Sequence, residues 1–326
     1  GGANFNYDNW LFLDLTMRRD QASSLPKDNN TYYYPSASLG LNFTKFIGAN
    51  DVFTFGKLRV NYAEVGNTAP PLSVNDVYNL GVNTILDRTI SATSWNGVTL
   101  TSTPITKNNP DLKPERTKSS EIGLELKFLE SRLGFDLTYY KMNTVDQILP
   151  AAVSRATGYS AKYINAGEIE NKGFELQLFI KPVQTQDFDW SIDLNWSKNE
   201  SLVKDLGGID NLLLASFQGG VSINATLNEP YGTIRGSNFV FKDGKRVVNN
   251  SGSLAGFYKI SPTSNEVIGD VNPDWIGGVF NRLRYKNFDL SFLVDIKQGG
   301  DMFSLDLYYG LATGLYPETV GNNDLG

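Results

Sequence analysis

The sequence predicts an all-β protein: an antiparallel transmembrane β-barrel segment of about eleven strands, with long outer loops and short periplasmic turns. Three observations carry this. Polar and apolar residues alternate with a period of two through segment after segment, the connections between segments alternate short and long, and aromatic residues gather at the segment ends.

The alternation runs in order along the chain. In 10–18, Leu11, Leu13, Leu15 and Met17 share one face and Phe12, Asp14, Thr16 and Arg18 the other. In 34–44, Pro35, Ala37, Leu39, Leu41 and Phe43 oppose Tyr34, Ser36, Ser38, Gly40, Asn42 and Thr44. Leu58, Val60 and Tyr62 oppose Lys57, Arg59, Asn61 and Ala63. Ile122, Leu124, Leu126 and Phe128 oppose Glu121, Gly123, Glu125 and Lys127; Leu133, Phe135, Leu137 and Tyr139 oppose Arg132, Gly134, Asp136, Thr138 and Tyr140. Phe174, Leu176, Leu178 and Ile180 alternate with Glu175, Gln177 and Lys181, and Trp190, Ile192, Leu194 and Trp196 with Asp189, Ser191, Asp193 and Asn195. Phe288, Leu290, Phe292, Val294 and Ile296 close the series against Asp289, Ser291, Asp295 and Lys297. The stretch 275–285 reads as a further strand, and a hairpin is expected within 212–250, the exact strand count in 203–270 staying open. Such alternation gives each strand one apolar and one polar face.

A soluble sandwich also alternates. Here the polar face carries charges and amides along its length, as a water-filled lumen requires. Short connections (Phe46–Asp51, Leu129–Arg132, Pro182–Asp187, Lys286–Asn287) also take turns with long ones (Arg19–Thr31, Gly66–Arg116, Lys141–Lys172 and 241–274). That rhythm belongs to a barrel with periplasmic turns and external loops. Phe46, Phe53, Phe188, Trp190, Tyr285 and Phe288 flank short turns, while Tyr32, Tyr33, Tyr34, Tyr139 and Tyr140 sit at the opposite strand ends, so two interfacial girdles are expected. A strand of about ten residues rising ~3.3 Å each and tilted ~45° climbs ~23 Å, close to the apolar band of an outer membrane.

Composition narrows the function. Lys and Arg number 29 against 35 Asp and Glu, and no basic run occurs, so no nucleic-acid partner is expected. Cysteine and histidine are both absent. That removes thiolate chemistry, the commonest general base and the commonest transition-metal ligand, so neither catalytic residues nor a cofactor are expected. Asp270, Asn272 and Asp274 alternate like an oxygen-rich loop but lack the glycine and distal glutamate of a calcium motif, so turn chemistry is the reading and no metal is assigned. Gly299-Gly300-Asp301 reads as a bend where a strand leaves the barrel. Trp95, Tyr159, Tyr163 and Tyr231 fall in long loops, where aromatic faces can stack on a ligand or pack the loop itself. Tyr140 and Asp136 face the polar side and are candidate contacts for cargo or for a lumen-filling domain.

Particular segments then look familiar. Asn109-Pro110-Asp111-Leu112-Lys113-Pro114-Glu115-Arg116-Thr117 closely resembles a segment of TonB-dependent barrels. Ile164-Asn165-Ala166-Gly167, Asn171-Lys172-Gly173-Phe174-Glu175, Leu194-Asn195-Trp196-Ser197-Lys198-Asn199, Pro230-Tyr231-Gly232, Asn272-Pro273-Asp274-Trp275 and Asp295-Ile296-Lys297-Gln298-Gly299-Gly300-Asp301 resemble the SusC/RagA family, in order and across essentially the whole chain. This resemblance implies that residues 1–326 are roughly half of a barrel of about 22 strands. It also implies a plug domain and TonB box before Gly1 and closing strands after Gly326. The partners it implies are outer-membrane lipid, TonB acting through the plug, a SusD-like surface lipoprotein as lid, and an oligosaccharide cargo ahead of a peptide. The resulting expectation is non-enzymatic, TonB-dependent import across the cell outer membrane. A passive porin, or a soluble β-rich carbohydrate-binding or carbohydrate-processing protein, is the alternative.

Overall fold

The computed structural model describes residues 1–80, 83–85, 88–90 and 94–321, without the side chains of Asn79, Leu80, 83–85, 88–90, Trp95 and Ala152. Two compact units are formed, one by Gly1–Ile209 with Gly277–Asp295 and the other by Asp210–Ile276 with Ile296–Gly326.

Ten strands make one antiparallel sheet in which spatial order equals chain order. They are β1 (Gly2–Tyr7), β2 (Leu11–Gln21), β3 (Thr31–Asn42), β4 (Phe53–Asn67), β5 (Glu115–Phe128), β6 (Leu133–Val145), β7 (Glu168–Gln184), β8 (Phe188–Asp205), β9 (Trp275–Tyr285) and β10 (Phe288–Gln298). Such a meander needs only hairpin connections. Connections 8–10, 43–52, 129–132, 185–187 and 286–287 lie at one end of the strands, and 22–30, 68–114, 146–167 and 206–274 at the other. Tight turns use left-handed backbone: Asp8 and Asn9 both have positive φ in the three-residue connection 8–10, where Trp10 N–H donates to the Tyr7 carbonyl and Asn6 accepts the Asn9 amide.

All nine wall segments expected from the alternation are strands of this sheet. Gly2–Tyr7 is an additional one, too short and too rich in asparagine to stand out. The hairpin expected in 212–250 forms, but outside the wall. Asn211–Ser216, Ser222–Thr226, Thr233–Gly236 and Glu266–Asp270 build a separate four-stranded sheet, so the wall has ten strands among the described residues rather than eleven.

Register separates the two faces. One cross-strand row reads Tyr7, Leu11, Leu41, Leu58, Leu124, Leu137, Leu176, Trp196. The neighbouring polar row reads Asn42, Lys57, Glu125, Asp136, Gln177, Asn195. A one-residue slip anywhere would mix the two chemistries, so the pattern itself holds the register. The apolar face is exposed among the described residues: Ile122 is 47% and Leu290 61% exposed. No helix among the described residues is long and apolar enough to cross a membrane.

Of the rings expected at the short-turn end, Phe46 adjoins Trp10 and through it Tyr7, and Phe53 lies in the series Phe43, Phe53, Phe128, Phe135. At the long-loop end the girdle expectation needs correction. Adjacent strand residues must point to opposite faces. Accordingly Tyr33 and Tyr139 share the apolar face, while Tyr32 and Tyr34 are buried on the other side and Tyr140 lies among polar groups.

The buried core of the first unit sits under the long loops. Leu112 is fully buried against Leu25, Tyr32, Tyr34 and Ala69, with Ile148 and Tyr163 packed on the cluster. The second unit buries Ala225 and Ile234 in its four-stranded sheet, with Val221 buried just before the strand Ser222–Thr226, and carries the helix Leu305–Thr313, capped by Ser304.

Candidate functional site

Strand after strand furnishes the polar face of the wall with charge and amide groups. At its centre Arg59 on β4 donates to both carboxylate oxygens of Asp136 on β6, at 2.7 and 2.6 Å, and reaches Thr138 at 3.5 Å. Glu125 on β5 lies 3.7 Å from the same guanidinium and 3.0 Å from Lys127. The Arg59 side chain thus crosses an entire intervening strand. Gly123 on β5 makes the crossing possible, because a Cβ there would stand 2.8 Å from Arg59 Nη2. The fork geometry of guanidinium on carboxylate fixes both side chains flat against the sheet.

The same device recurs on the next strands. Tyr140 on β6 lies over Gly173 on β7, where a Cβ would meet the phenol oxygen at 2.6 Å, and donates to Asn199 Oδ1 on β8 at 2.9 Å. In both cases a long side chain, a glycine and an acceptor occupy successive strands. Toward the short-turn end the polar face opens into a cavity of about 680 Å³, bordered by Glu125, Lys127, Asp136, Gln177, Asp193 and Asn195.

The long loops are fastened by the segments that looked familiar in the sequence. Asn165 donates through its amide to the carbonyls of Lys113 and Asp146 and accepts the Lys113 amide at 2.7 Å. Asn109 donates to the Tyr163 carbonyl, Glu115 accepts the Ile148 amide, and Asn108 donates to the carbonyls of Leu72 and Asn75. Around these polar ties Leu112 is sealed from solvent. The motif residues therefore lock the returning loop 68–114 to loop 146–167.

The six residues singled out from sequence fall in different settings. Asp136 and Tyr140 share one face of β6. Tyr163 stands in the short strand Ala161–Asn165 and packs on the Leu112 cluster. Tyr159 lies in the loop between β6 and β7, half-buried, with Lys107 Nζ 5.5 Å from its ring centre. Trp95 pairs through its backbone with Val98, while its side chain lies outside the described residues. Tyr231 belongs to the second unit, where Asn272 donates to its carbonyl and burial pushes its phenol above the ordinary range. Asp270 and Asn272 serve turn chemistry: Asp270 Oδ1 accepts both the backbone amide and the side-chain amide of Asn272. At Gly299 and Gly300 the backbone turns left-handed just after β10 ends. Arg59, Glu125 and Asn199 were not singled out as site residues. Glycines on the polar faces of β5 and β7 were the available signal, but only register shows which side chains lie over them.

Comparison with known proteins agrees with this architecture. The family described as TonB dependent receptor-like, beta-barrel, matches residues 1–324. The chain is 28% identical to TonB-dependent receptor P3 of Formosa agariphila over 94% of its own length and 32% of the relative's. It is 27% identical to TonB-dependent receptor SusC of Bacteroides thetaiotaomicron, over 90% of the chain and 30% of that protein. The chain thus spans about a third of the length of these relatives. Its fold superposes on the RagAB peptide importer in the closed-closed state with a TM-score of 0.74 at 20% identity, covering 91% of this chain and 32% of that one. A two-faced meander with period-two chemistry, alternating turns and loops, and a family match over nearly every residue lead to one conclusion: the chain belongs to the TonB-dependent receptor-like β-barrel family of outer-membrane proteins.

Proposed function

We propose that this chain forms part of the wall of a TonB-dependent nutrient importer, with its apolar face against outer-membrane lipid and its polar face lining the lumen. The observation that supports it most is the polar face itself. Charged and amide side chains run across β4 to β8, and two long side chains among them, Arg59 and Tyr140, are held by partners two strands away, which suits a wide passage that must stay clear. The transport role is non-enzymatic. Energy would come from TonB acting on a plug domain, and a SusD-like lipoprotein would close the mouth formed by the long loops. The cargo we propose is an oligosaccharide, because aromatic residues occupy loops 68–114 and 146–167 and a sugar stacks on an aromatic face. A peptide is the second reading, favoured by the presence of both charge signs on the lumen face.

The test is uptake by cells carrying the full-length protein, with labelled oligosaccharides and labelled peptides offered in parallel, with and without TonB. Saturable uptake of an oligosaccharide that stops without TonB is expected. Uptake that persists without TonB would replace the proposal with a passive pore, and peptide uptake alone would replace the cargo. In the same system Trp95→Ala with Tyr159→Ala should weaken cargo or lid binding while the barrel still assembles, each ring contributing on the order of 1 kcal/mol. Unchanged binding with normal heat-modifiability would return both rings to loop packing.

A further inference from the structure

The outward face changes character toward the long loops, on β4 and β5 through Tyr62, Glu64, Arg116 and Lys118 and on β6, β7 and β8 through a layered series of rows. Three successive cross-strand rows show it. Leu137, Leu176 and Trp196 are paired in the apolar band. One row higher come Tyr139, Phe174 and Lys198, with the two rings 5.0 Å apart. The next row reads Lys141, Lys172 and Glu200. Rows on one face are about 7 Å apart, so aliphatic, aromatic and charged layers succeed one another within the depth of an interface.

The charges in the upper rows do not cancel. Glu200 is shared by Lys198 at 3.1 Å and Lys172 at 3.5 Å. Glu170 is likewise shared by Lys141 at 2.9 Å and Lys204 at 3.9 Å. The Glu200 group places two ammonium ions against one carboxylate and so keeps an excess positive charge, whereas around Lys141 the Glu168 carboxylate adds to Glu170. Lys172 and Lys198 remain nearly half exposed. Between them, and floored by the Tyr139 and Phe174 rings, lies a cleft of about 290 Å³. It has cations at its upper rim and an aromatic floor opening downward onto the apolar band.

We infer that this cleft is a binding site for the phosphate of an anionic lipid in the leaflet surrounding the barrel, with Lys172 and Lys198 holding the phosphate and Phe174 and Tyr139 receiving the start of the acyl chains. Charge complementarity selects the occupant. A free phosphate would satisfy the lysines but leave the aromatic floor unused, whereas a membrane phospholipid or phosphorylated glycolipid covers both. Glu200 orients the two ammonium groups without neutralising them together. The inference rests on the apolar face meeting lipid; it is independent of cargo, lid and TonB.

The test uses the full-length protein in neutral detergent and native mass spectrometry to count retained lipid. Phosphatidylglycerol, phosphatidylcholine and inorganic phosphate are offered separately to the parent protein, to Lys172→Gln/Lys198→Gln and to the control Lys286→Gln, placed at a short turn. The parent and the control should retain phosphatidylglycerol. The double variant should lose it by roughly tenfold or more, since each lysine near an anionic surface contributes about a fivefold effect. Phosphatidylcholine should be held equally by all three. Retention of phosphatidylglycerol by the double variant at the parent's level would overturn the inference, as would retention of inorganic phosphate in place of lipid. Heat-modifiability of each variant confirms a folded barrel. Uniform failure to retain either lipid would count against the lipid-facing reading of the whole face, separately from the lysines.

Discussion

Among individual residues, the feature with the largest consequence is a missing side chain. Arg59 reaches Asp136 only because Gly123 leaves its path open. Gly123→Ala should therefore break the bidentate pair, at a cost of about 1–3 kcal/mol, typical for a hydrogen bond involving charged groups. In an Arg59→Met background the same change should be nearly neutral, because nothing crosses the glycine any longer. Urea unfolding of the full-length barrel, run as a double-mutant cycle, measures this coupling, and additive costs would show that Gly123 serves some other purpose. Little of this was legible beforehand. Arg59, Gly123 and Asp136 are each visible as polar-face residues of their own strands, but a one-dimensional pattern carries no information on how strands are offset. The burial of Leu112 was hidden for a similar reason: its partners Leu25, Tyr32 and Ala69 are distant in sequence and meet only when the loop folds back.

Single strands were far more legible, because alternation is a local property that tertiary packing reinforces here. On the proposed reading, with one face in lipid and the other in water, every residue is selected by its own face. The exceptions are informative. Residues 211–270 hold short strands with weak or broken alternation, such as Asn211–Ser216 with its run of adjacent leucines, and they pair among themselves, with Ala225 and Ile234 buried in a small sheet of their own. Alternation reports a two-faced strand and does not say which sheet it joins. For a wall strand the asymmetry should be measurable on β7. Leu178→Arg places a cation on the apolar face and should cost about 2–4 kcal/mol at mid-bilayer depth, while Gln177→Arg on the neighbouring polar position should cost far less. Folding titrations into lipid vesicles give both values. Equal costs would mean that the two faces meet the same environment.

For the whole molecule, the account stands on one claim: the leucine-rich face of a ten-stranded meander meets lipid and the charged face meets water. The open apolar face, the ring series at the short-turn end and the layered charges above Tyr139 and Phe174 all agree with it. A chain without cysteine allows the claim to be tested directly, since single cysteines introduced along β7 can each carry one nitroxide label. The decisive measurement is electron paramagnetic resonance accessibility at positions 174 to 180 in the full-length protein in bilayers, with oxygen reporting lipid and a water-soluble nickel complex reporting the lumen. The account predicts a two-residue period, with Phe174, Leu176, Leu178 and Ile180 open to oxygen and Glu175, Gln177 and Phe179 open to nickel. Leucine positions closed to both reagents, as in a dry core between two sheets, would contradict it.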